Sequence, residues 1–269
     1  MIKPLHSYLW PVHHAGLIWQ LAVREVASRY RQSWLGALWA VITPLLMLAT
    51  FTFVFRWVFK LRWGEGGTES DLGFALRLFA GLAVFNFFSE CVTRAPRLIV
   101  DQPHLVKKVV FPVEVFPWVN VLAALAQLGV ALVLLLTLRW WDMGYLPVSA
   151  WALPVVWLSL VPLCLGLGWL FAGLGAYVRD LGQILVPAVS LMMFLSPIFF
   201  PVQSLPTAVQ SWVVLNPLAT PITLTHVVLL DGRWPDWSLW ATHTAACLIL
   251  ALMGAAFFRA VRKGFADVV

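Results

Sequence analysis

The residue types that carry out catalysis in most enzymes are sparse in this chain. Gly168 and Gly173 have the glycine spacing of a phosphate-binding loop, but Leu174 stands where that loop needs lysine. His13 and His14 are adjacent, so they do not share a helix face as paired metal ligands would. The sequence therefore predicts no enzyme, no metal site and no cofactor on this chain. The cysteines lie in apolar sequence, where free cysteine serves as a small packing residue: Cys91, Cys164 and Cys247.

Charged residues that could bind a partner are more numerous than candidate catalytic residues. The largest group of them lies in the segment Thr93–Phe111. This segment reads TRAPRLIVDQPHLVKKVVF and separates two long apolar runs. Its apolar stretch Leu98–Val100 is flanked by polar residues, which is typical of a short helix presented to another protein. The alternative is a solvated loop whose Lys107 and Lys108 only orient the chain in a membrane.

A second group of charges lies on the segment Leu17–Arg31, which reads LIWQLAVREVASRYR. At about 100° per residue, most of its apolar side chains share one side of a helix, and Arg24 and Arg31 lie on the other. This pattern predicts an amphipathic helix in the headgroup layer of a membrane. Arg29 and Arg31 then mark the boundary with the apolar run that follows. The helix either serves only as an anchor or forms a collar that contacts a partner protein.

The composition indicates a membrane protein, because 61% of the 269 residues are hydrophobic and only 11% are charged. Soluble domains average about 45–50% apolar and about 25% charged residues. The chain also contains 16 tryptophans, a residue type that is favoured where an apolar ring meets the headgroup layer. Although the net charge is +6, the basic residues lie in short segments between apolar runs, which argues against a nucleic-acid groove.

Six apolar runs are long enough to cross a bilayer as helices, which need about 20 residues each. Between the fifth and sixth runs, Pro201–Leu230 is apolar but contains four prolines, which predicts two short re-entrant helices. The predicted fold is an all-α membrane protein of one domain, with a tail over 1–33, a six-span core over 36–260 and a second tail over 261–269. The predicted spans are Gly36–Phe59, Phe74–Val92, Val113–Leu138, Trp151–Val178, Ile184–Phe200 and Leu239–Phe258.

Lysine and arginine residues predict the orientation of this core, since they are enriched on the cytoplasmic side of membrane proteins. With six spans, both termini lie on the same side. Of the 18 lysines and arginines, twelve fall on that side and six on the other. Both termini are therefore predicted to be cytoplasmic, and the re-entrant pair is predicted to lie on the outer side.

The interior of the predicted core is aromatic rather than ionic. The charged residues nearest the spans lie close to span ends, and no chain of acids suited to relaying protons is present, which argues against an ion-driven carrier. Arg179 and Asp180 form either a helix-end pair or a conformational latch. The aromatic residues either pack or line a passage for sugar rings, and the candidates for the passage are Phe79, Phe85, Tyr177, Phe194, Phe199 and Phe200.

Five stretches of the chain resemble a known family and occur in the order seen in that family. They read RYRQSWLGALWAVITPLLML, KKVVFPVEVFP, YVRDLGQIL, SPIFFP and LNPLATPIT. Together with the pattern of spans, they are similar to the permeases of type-2 ABC exporters for polysaccharides such as O-antigen, capsule or teichoic acid. The resemblance covers nearly the whole chain, from Arg29 to Gly264.

This resemblance implies a transport subunit of the bacterial inner membrane. Two copies would form the pathway, and each would dock a separate nucleotide-binding subunit that holds ATP and Mg²⁺. By position, Leu17–Arg31 resembles the interface helix of the family, and Pro201–Leu230 resembles its outer re-entrant helices. The coupling helix that fits the ATPase corresponds to Arg94–Gln102, and the implied contact residues are Arg94, Arg97, Asp101 and Gln102.

The implied substrate is a glycan on an undecaprenyl diphosphate lipid. The resemblance also implies export machinery in the periplasm as a partner. It does not imply binding to nucleic acid. Three alternatives stay open: a permease of the same type for a drug or lipid, a membrane-embedded enzyme acting on a polyprenyl lipid, and a passive channel. Basic residues of the inner surface would either bind the anionic diphosphate or only orient the chain in the membrane. These residues are Arg29, Arg31, Arg94, Arg97, Lys107 and Lys108.

Overall fold

The computed structural model describes residues 6–9, 11–31, 34–58, 60, 70–106, 111–202, 206, 210, 213 and 215–265. Every regular element within these ranges is helical. Long apolar runs favour helices in a bilayer, because a helix satisfies its own backbone hydrogen bonds. The α-helices are α1 (His6–Leu9), α2 (Ala15–Tyr30), α3 (Trp39–Thr52), α4 (Asp71–Arg94), α5 (Arg97–Val100), α6 (Pro103–Val106), α7 (Phe116–Met143), α8 (Leu153–Leu158), α9 (Leu160–Tyr177), α10 (Leu181–Leu195), α11 (Ala219–Leu229) and α12 (Trp237–Val261).

Five predicted spans are confirmed as helical segments that are long and apolar enough to cross a membrane. The first of them, α3, contains Pro44 and continues through a π-helical turn over Phe53–Val58. Short 3-10 turns lead into α7 and α8, and α8 runs on into α9. The five segments are Trp39–Val58, Asp71–Arg94, Val113–Met143, Val148–Tyr177 and Trp237–Gly264.

The remaining predicted span, Ile184–Phe200, differs from the structure at both ends. The corresponding helix α10 has 15 residues, ends at Leu195 and is followed by Ser196 in an extended conformation. Pro197 explains this end, because a residue that precedes proline is pushed out of the helical region. Helix α10 is too short to qualify as a span by length, so the sixth span stays a prediction.

Helix α4 lies at the centre of the bundle and is buried along most of its length. It contacts α3, α7, α9, α10 and α11. Its first turn is capped by Ser70, whose Oγ accepts a hydrogen bond from the Gly73 N–H at 2.9 Å. By contrast, α3 turns most of its side chains outward, and its buried residues are Ala40 and Leu48.

The two ends of the bundle are defined by which helices begin and finish there. At one end, named the α2 end, α4, α9 and α12 finish and α7 begins, and α2 packs against α7 and forms ion pairs with the last turn of α4. There the Tyr177 hydroxyl of α9 donates to the Val261 carbonyl of α12 at 2.8 Å. At the opposite end, the Ser70 hydroxyl before α4 donates to Asp142 of α7 at 2.9 Å.

The segment predicted to form a re-entrant pair is described only in part. Helix α11 lies at the opposite end, where the Trp157 indole N–H donates to the Thr225 hydroxyl at 2.9 Å. Most of residues 203–214 lie outside the described residues. The pair of re-entrant helices therefore stays a prediction.

Candidate functional site

The segment predicted to contact a partner begins where α4 ends, at Arg94 of the α2 end. Two buried residues, Ala95 and Pro96, turn the chain, and the single helical turn α5 follows over Arg97–Val100. Proline suits the start of a helix, because its φ is already close to the helical value and its missing N–H is not needed there. The side chain of Ile99 is fully buried and anchors the turn. Residues 94–102 are named the α5 turn from here on.

The α5 turn is packed on one side and open on the other. The side chains of Arg97 and Asp101 are exposed, and Gln102 is half-buried. On the packed side, a β-carbon on Gly175 of α9 would lie less than 3.0 Å from backbone atoms of Pro96. A glycine at this position therefore lets α9 and the turn approach closely, and the open side is available to a partner.

Arg94 differs from the other polar residues of the turn, because it is engaged within the bundle. Its guanidinium pairs with Glu25 of α2 and lies 3.6 Å from Glu90, one helical turn earlier in α4. Arg29 of α2 pairs with the same Glu90. The sequence pattern did not predict these pairs, which connect α2 to the last turn of α4.

Helix α2 rests on the bundle along a narrow stripe. Ile18 and Ala22 are buried, and the helix packs against α7. Trp19 and Val23 are exposed, and the location of α2 in the headgroup layer stays a prediction. Of the three arginines predicted to characterise this helix, Arg29 faces α4, and the two that are exposed are Arg24 and Arg31.

A cavity of about 530 Å³ lies between α2 and the α5 turn. Residues of α6, α7 and α10 complete its wall. The cavity is lined by three arginines and by two acids, Glu25 and Asp101, so its wall has an excess of positive charge that suits an anionic group. Five of the residues singled out from the sequence meet here, namely Arg24, Arg94, Arg97, Asp101 and Gln102.

The aromatic residues predicted to line a passage do not form one group. Phe79 and Phe85 are buried within α4, and the Tyr177 ring lies at the α2 end with its hydroxyl bonded to a backbone carbonyl. Phe194 and Phe199 lie at the far end of α10, which separates them from Tyr177 by about 20 Å at the rise of an α-helix.

Four phenylalanines form a cluster at the far end of α10. The Phe199 ring centre lies 4.6 Å from that of Phe55, 5.8 Å from Phe51 and 5.9 Å from Phe194. Phe200 is half-buried against the core beside them. Phe51 and Phe55 were not predicted from the sequence. Phe51 lies in α3 and Phe55 in the π-helical turn that follows it, and their ring centres are 6.0 Å apart. The cluster joins the end of α3 to the chain that follows α10.

Two amide side chains within the spans were also missed. Asn86 is exposed on α4, between buried neighbours, and Gln127 of α7 donates to the Ala40 carbonyl of α3 at 3.2 Å. Both line a cavity of about 50 Å³ with Glu90. Polar groups at membrane depth are candidates for a functional role, and isolated amides are the signal that would have identified them.

The fold and this site define a class of protein: a multi-span membrane protein with a separate helix, α2, packed at one end of the bundle and an exposed helical turn beside it. The family model for the ABC-2 type transporter matches residues 16–230. The chain belongs to the ABC-2 type transporter family, as the five sequence stretches predicted.

Relatives of the chain are named for the export or transport of polysaccharides. It is 27% identical to the O-antigen export system permease protein RfbA of Myxococcus xanthus, over 99% of this chain and 98% of the relative. It is 25% identical to the capsule polysaccharide export inner-membrane protein CtrC of Neisseria meningitidis serogroup B, over 92% of each chain. It is 26% identical to the polysialic acid transport protein KpsM of Escherichia coli, over 79% of this chain and 80% of the relative.

Proposed function

We propose that this chain is the permease subunit of an ATP-driven exporter that moves a lipid-linked polysaccharide, O-antigen or capsule, across the bacterial inner membrane. The observation that carries the proposal is the similarity to an O-antigen export permease along 99% of the chain. Similarity to a capsule polysaccharide export protein supports it. ATP hydrolysis and its Mg²⁺ belong to two copies of a partner subunit, and the permease supplies the pathway.

The α5 turn is the contact for the ATPase. Its Arg97 and Asp101 side chains are exposed, and Arg97 forms no ion pair with any residue that the structure describes. Exposed charges on a turn that is anchored from behind by buried Ile99 suit a surface that another protein pushes on. This arrangement supports a coupling role for the segment.

A second copy of the chain completes the pathway. Helix α3, the π-helical turn after it and helix α10 turn large apolar side chains outward, among them Leu46, Trp57, Ile184 and Phe194. A passage between two copies would be bounded by such faces. The sixth span consists of α10 and the mostly buried stretch Ser196–Phe200, because non-helical backbone is tolerated at membrane depth where protein covers it. Both termini are cytoplasmic, on the more basic side of the chain.

The substrate enters from the α2 end. The cavity beside the α5 turn carries Arg24 and Arg97 in addition to the ion-paired Arg94, and the cations of Arg24 and Arg97 suit the diphosphate of an undecaprenyl-linked glycan. Phe194 at the far end of α10 is exposed and offers a ring face to the sugars that follow. Machinery in the periplasm takes up the glycan after export.

Export in the native host tests this function. The chromosomal copy is replaced by a tagged chain, surface polysaccharide is measured, and the complex is purified from membranes. The wild-type chain is expected to bring down a subunit with ATP-binding motifs and ATP hydrolysis activity. R97A/D101A is expected to lose both that subunit and export, whereas R233A, which alters an exposed arginine at the opposite end, is expected to retain both. A wild-type complex without any ATP-binding subunit, or normal surface polysaccharide after deletion of the chain, contradicts the proposal.

A further inference from the structure

Four charged side chains join α2 to the last turn of α4. Arg94 pairs with Glu25, and Arg29 pairs with Glu90, so two ion pairs cross between the helices. Within α2, Arg29 lies 3.9 Å from Glu25, and within α4, Arg94 lies 3.6 Å from Glu90. Each charge therefore has an opposite charge on both sides. These four residues are named the charge ring.

The order of the charges fixes α2 and α4 in one register. The order of pairing is antiparallel, because the earlier residue of α2 pairs with the later residue of α4. A slide by one helical turn, about 5.4 Å, would place Glu25 opposite Glu90, or Arg29 opposite Arg94. Like charges at that separation repel each other, so the charge ring resists sliding of α2 along α4.

The four side chains of the charge ring are partly buried, so water and salt screen their ion pairs less than those on an open surface. The exposed fractions of its four side chains lie between 20% and 41%. Ion pairs on an open surface contribute little because water and salt screen them, whereas partly buried networks are screened less. Two positive and two negative charges also leave the ring without net charge, so it does not attract an anion by itself.

The position of the charge ring connects it to the α5 turn. Arg94 is the last residue of α4, and α5 begins three residues later at Arg97. Ala95 and Pro96 between them are buried, and Pro96 lies against Gly175 of α9. A displacement of α5 therefore reaches α9 through Pro96 and reaches α2 through Arg94.

We propose that the charge ring is a rigid joint that carries movement of the α5 turn into α2, so that the interface helix and α4 move as one body during transport. Arg94 is then a positioning residue within the permease, and contact with the ATPase falls to the exposed Arg97 and Asp101. The inference rests on the proposed function, because it assumes that an ATPase acts on the α5 turn. It replaces the sequence-based assignment of Arg94 to the ATPase contact.

Two charge-exchange variants test the joint without altering the composition of the chain. E25R/R29E exchanges the charges of α2, and E90R/R94E exchanges those of α4. Each variant keeps the net charge and the ion pair within its own helix, but makes both pairs between the helices repulsive. The combined variant E25R/R29E/E90R/R94E restores both of these pairs with inverted polarity.

Each exchange alone is expected to lower polysaccharide export relative to ATP hydrolysis about tenfold, and the combined variant is expected to recover to within about threefold of wild type. Export is measured in cells, and ATP hydrolysis is measured on the purified complex. The amount of ATPase subunit that co-purifies with the tagged chain stays unchanged, because Arg97 and Asp101 are intact. The proposal that the charge ring is a joint is overturned if the combined variant does not recover export. It is also overturned if the E90R/R94E complex loses the ATPase subunit.

A milder variant keeps the test decisive if an exchange variant does not accumulate in the membrane. E90Q removes one charge from the ring, and K263Q removes one exposed charge elsewhere at the α2 end. E90Q is expected to lower export per ATP hydrolysed, whereas K263Q is not. Equal export per ATP by the two variants overturns the proposal that the charge ring is a joint. A wild-type chain that binds no ATPase refutes the proposed function, whereas normal wild-type export with unrescued exchange variants refutes only the joint.

Discussion

A β-carbon on Gly175 would lie within 3.0 Å of the carbonyl oxygen, the carbonyl carbon and the α-carbon of Pro96, so α9 and the α5 turn touch through their backbones. Rotation of a side chain cannot relieve such a clash, because the atoms involved belong to the main chain. The position of the α5 turn against the bundle therefore depends on the absence of a side chain at position 175.

Gly175→Ala is expected to push the α5 turn away from α9. An extra methyl group in a packed site costs about 1–3 kcal/mol, which the thermal unfolding midpoint of the detergent-purified chain reports. Export is expected to fall about tenfold, because the displaced turn no longer transmits movement. Gly129→Ala is the matched control, since no atom lies within 4 Å of a β-carbon there. Equal export by the two variants would show that the contact does not position the turn.

The pairing of α9 with α12 depends on a second backbone contact, between Gly166 and Gly254. A β-carbon on Gly254 would lie within 3.0 Å of the Gly166 backbone, and small residues of this kind let helices approach closely in a membrane. Gly254→Ala is expected to destabilise the fold by about 1–3 kcal/mol, visible as a lower unfolding midpoint than that of Gly129→Ala. Export per folded molecule is expected to stay near wild type, unlike that of Gly175→Ala. A midpoint equal to that of the control contradicts this account.

The long helices could be predicted from the sequence because each is an apolar run with charges at its ends. Helix α4 is an example: Asp71 and Arg94 bound a run that contains two further charged residues, Arg77 and Glu90, each near an end. The length of the apolar run did not predict where α10 ends, because apolar residues continue through Phe200. The extended residue before Pro197 ends the helix five residues earlier than the predicted span.

The charge ring could not be predicted, because its pairs depend on how α2 packs against α4. Arg94 and Glu25 are 69 residues apart, and no local pattern encodes their contact. The same limit applies to the aromatic residues. Burial of Phe79 and exposure of Phe194 are decided by which helices lie beside each ring, and a helical period alone does not contain that information.

A buried carboxylate connects the C-terminal end of α12 to the start of α7. The Glu114 side chain is 3% exposed and lies 3.0 Å from the Arg262 guanidinium. Arg262→Met is expected to destabilise the chain by about 2–3 kcal/mol, because the buried carboxylate loses its ion pair with Arg262. The unfolding midpoint measures the effect, and Lys263→Met, at the exposed neighbouring residue, is the control. The double variant E114Q/R262M is expected to regain part of the loss, and a double variant less stable than R262M contradicts the pairing.

Phe199 is expected to matter for stability. Its side chain is 7% exposed and lies against Phe51 of α3 and Phe55 of the π-helical turn after α3. Truncating a buried aromatic residue costs about 3–5 kcal/mol, so Phe199→Ala is expected to lower the unfolding midpoint strongly. Phe199→Leu keeps most of the buried volume and is expected to recover much of that loss. Equal midpoints for wild type and Phe199→Ala would show that the cluster does not hold α3 to the chain after α10.

Phe194 is expected to matter for transport instead, because its ring is 59% exposed and contacts the cluster through the Phe199 ring, 5.9 Å away. Phe194→Ala is expected to leave the unfolding midpoint unchanged and to lower export about fivefold, if its ring face contacts the sugars of the moving glycan. Leu195→Ala is the matched control, since Leu195 is 62% exposed and lies at the same end of α10. A loss of export in Leu195→Ala equal to that in Phe194→Ala would exclude an aromatic role, because any large apolar side chain at this surface would then serve as well.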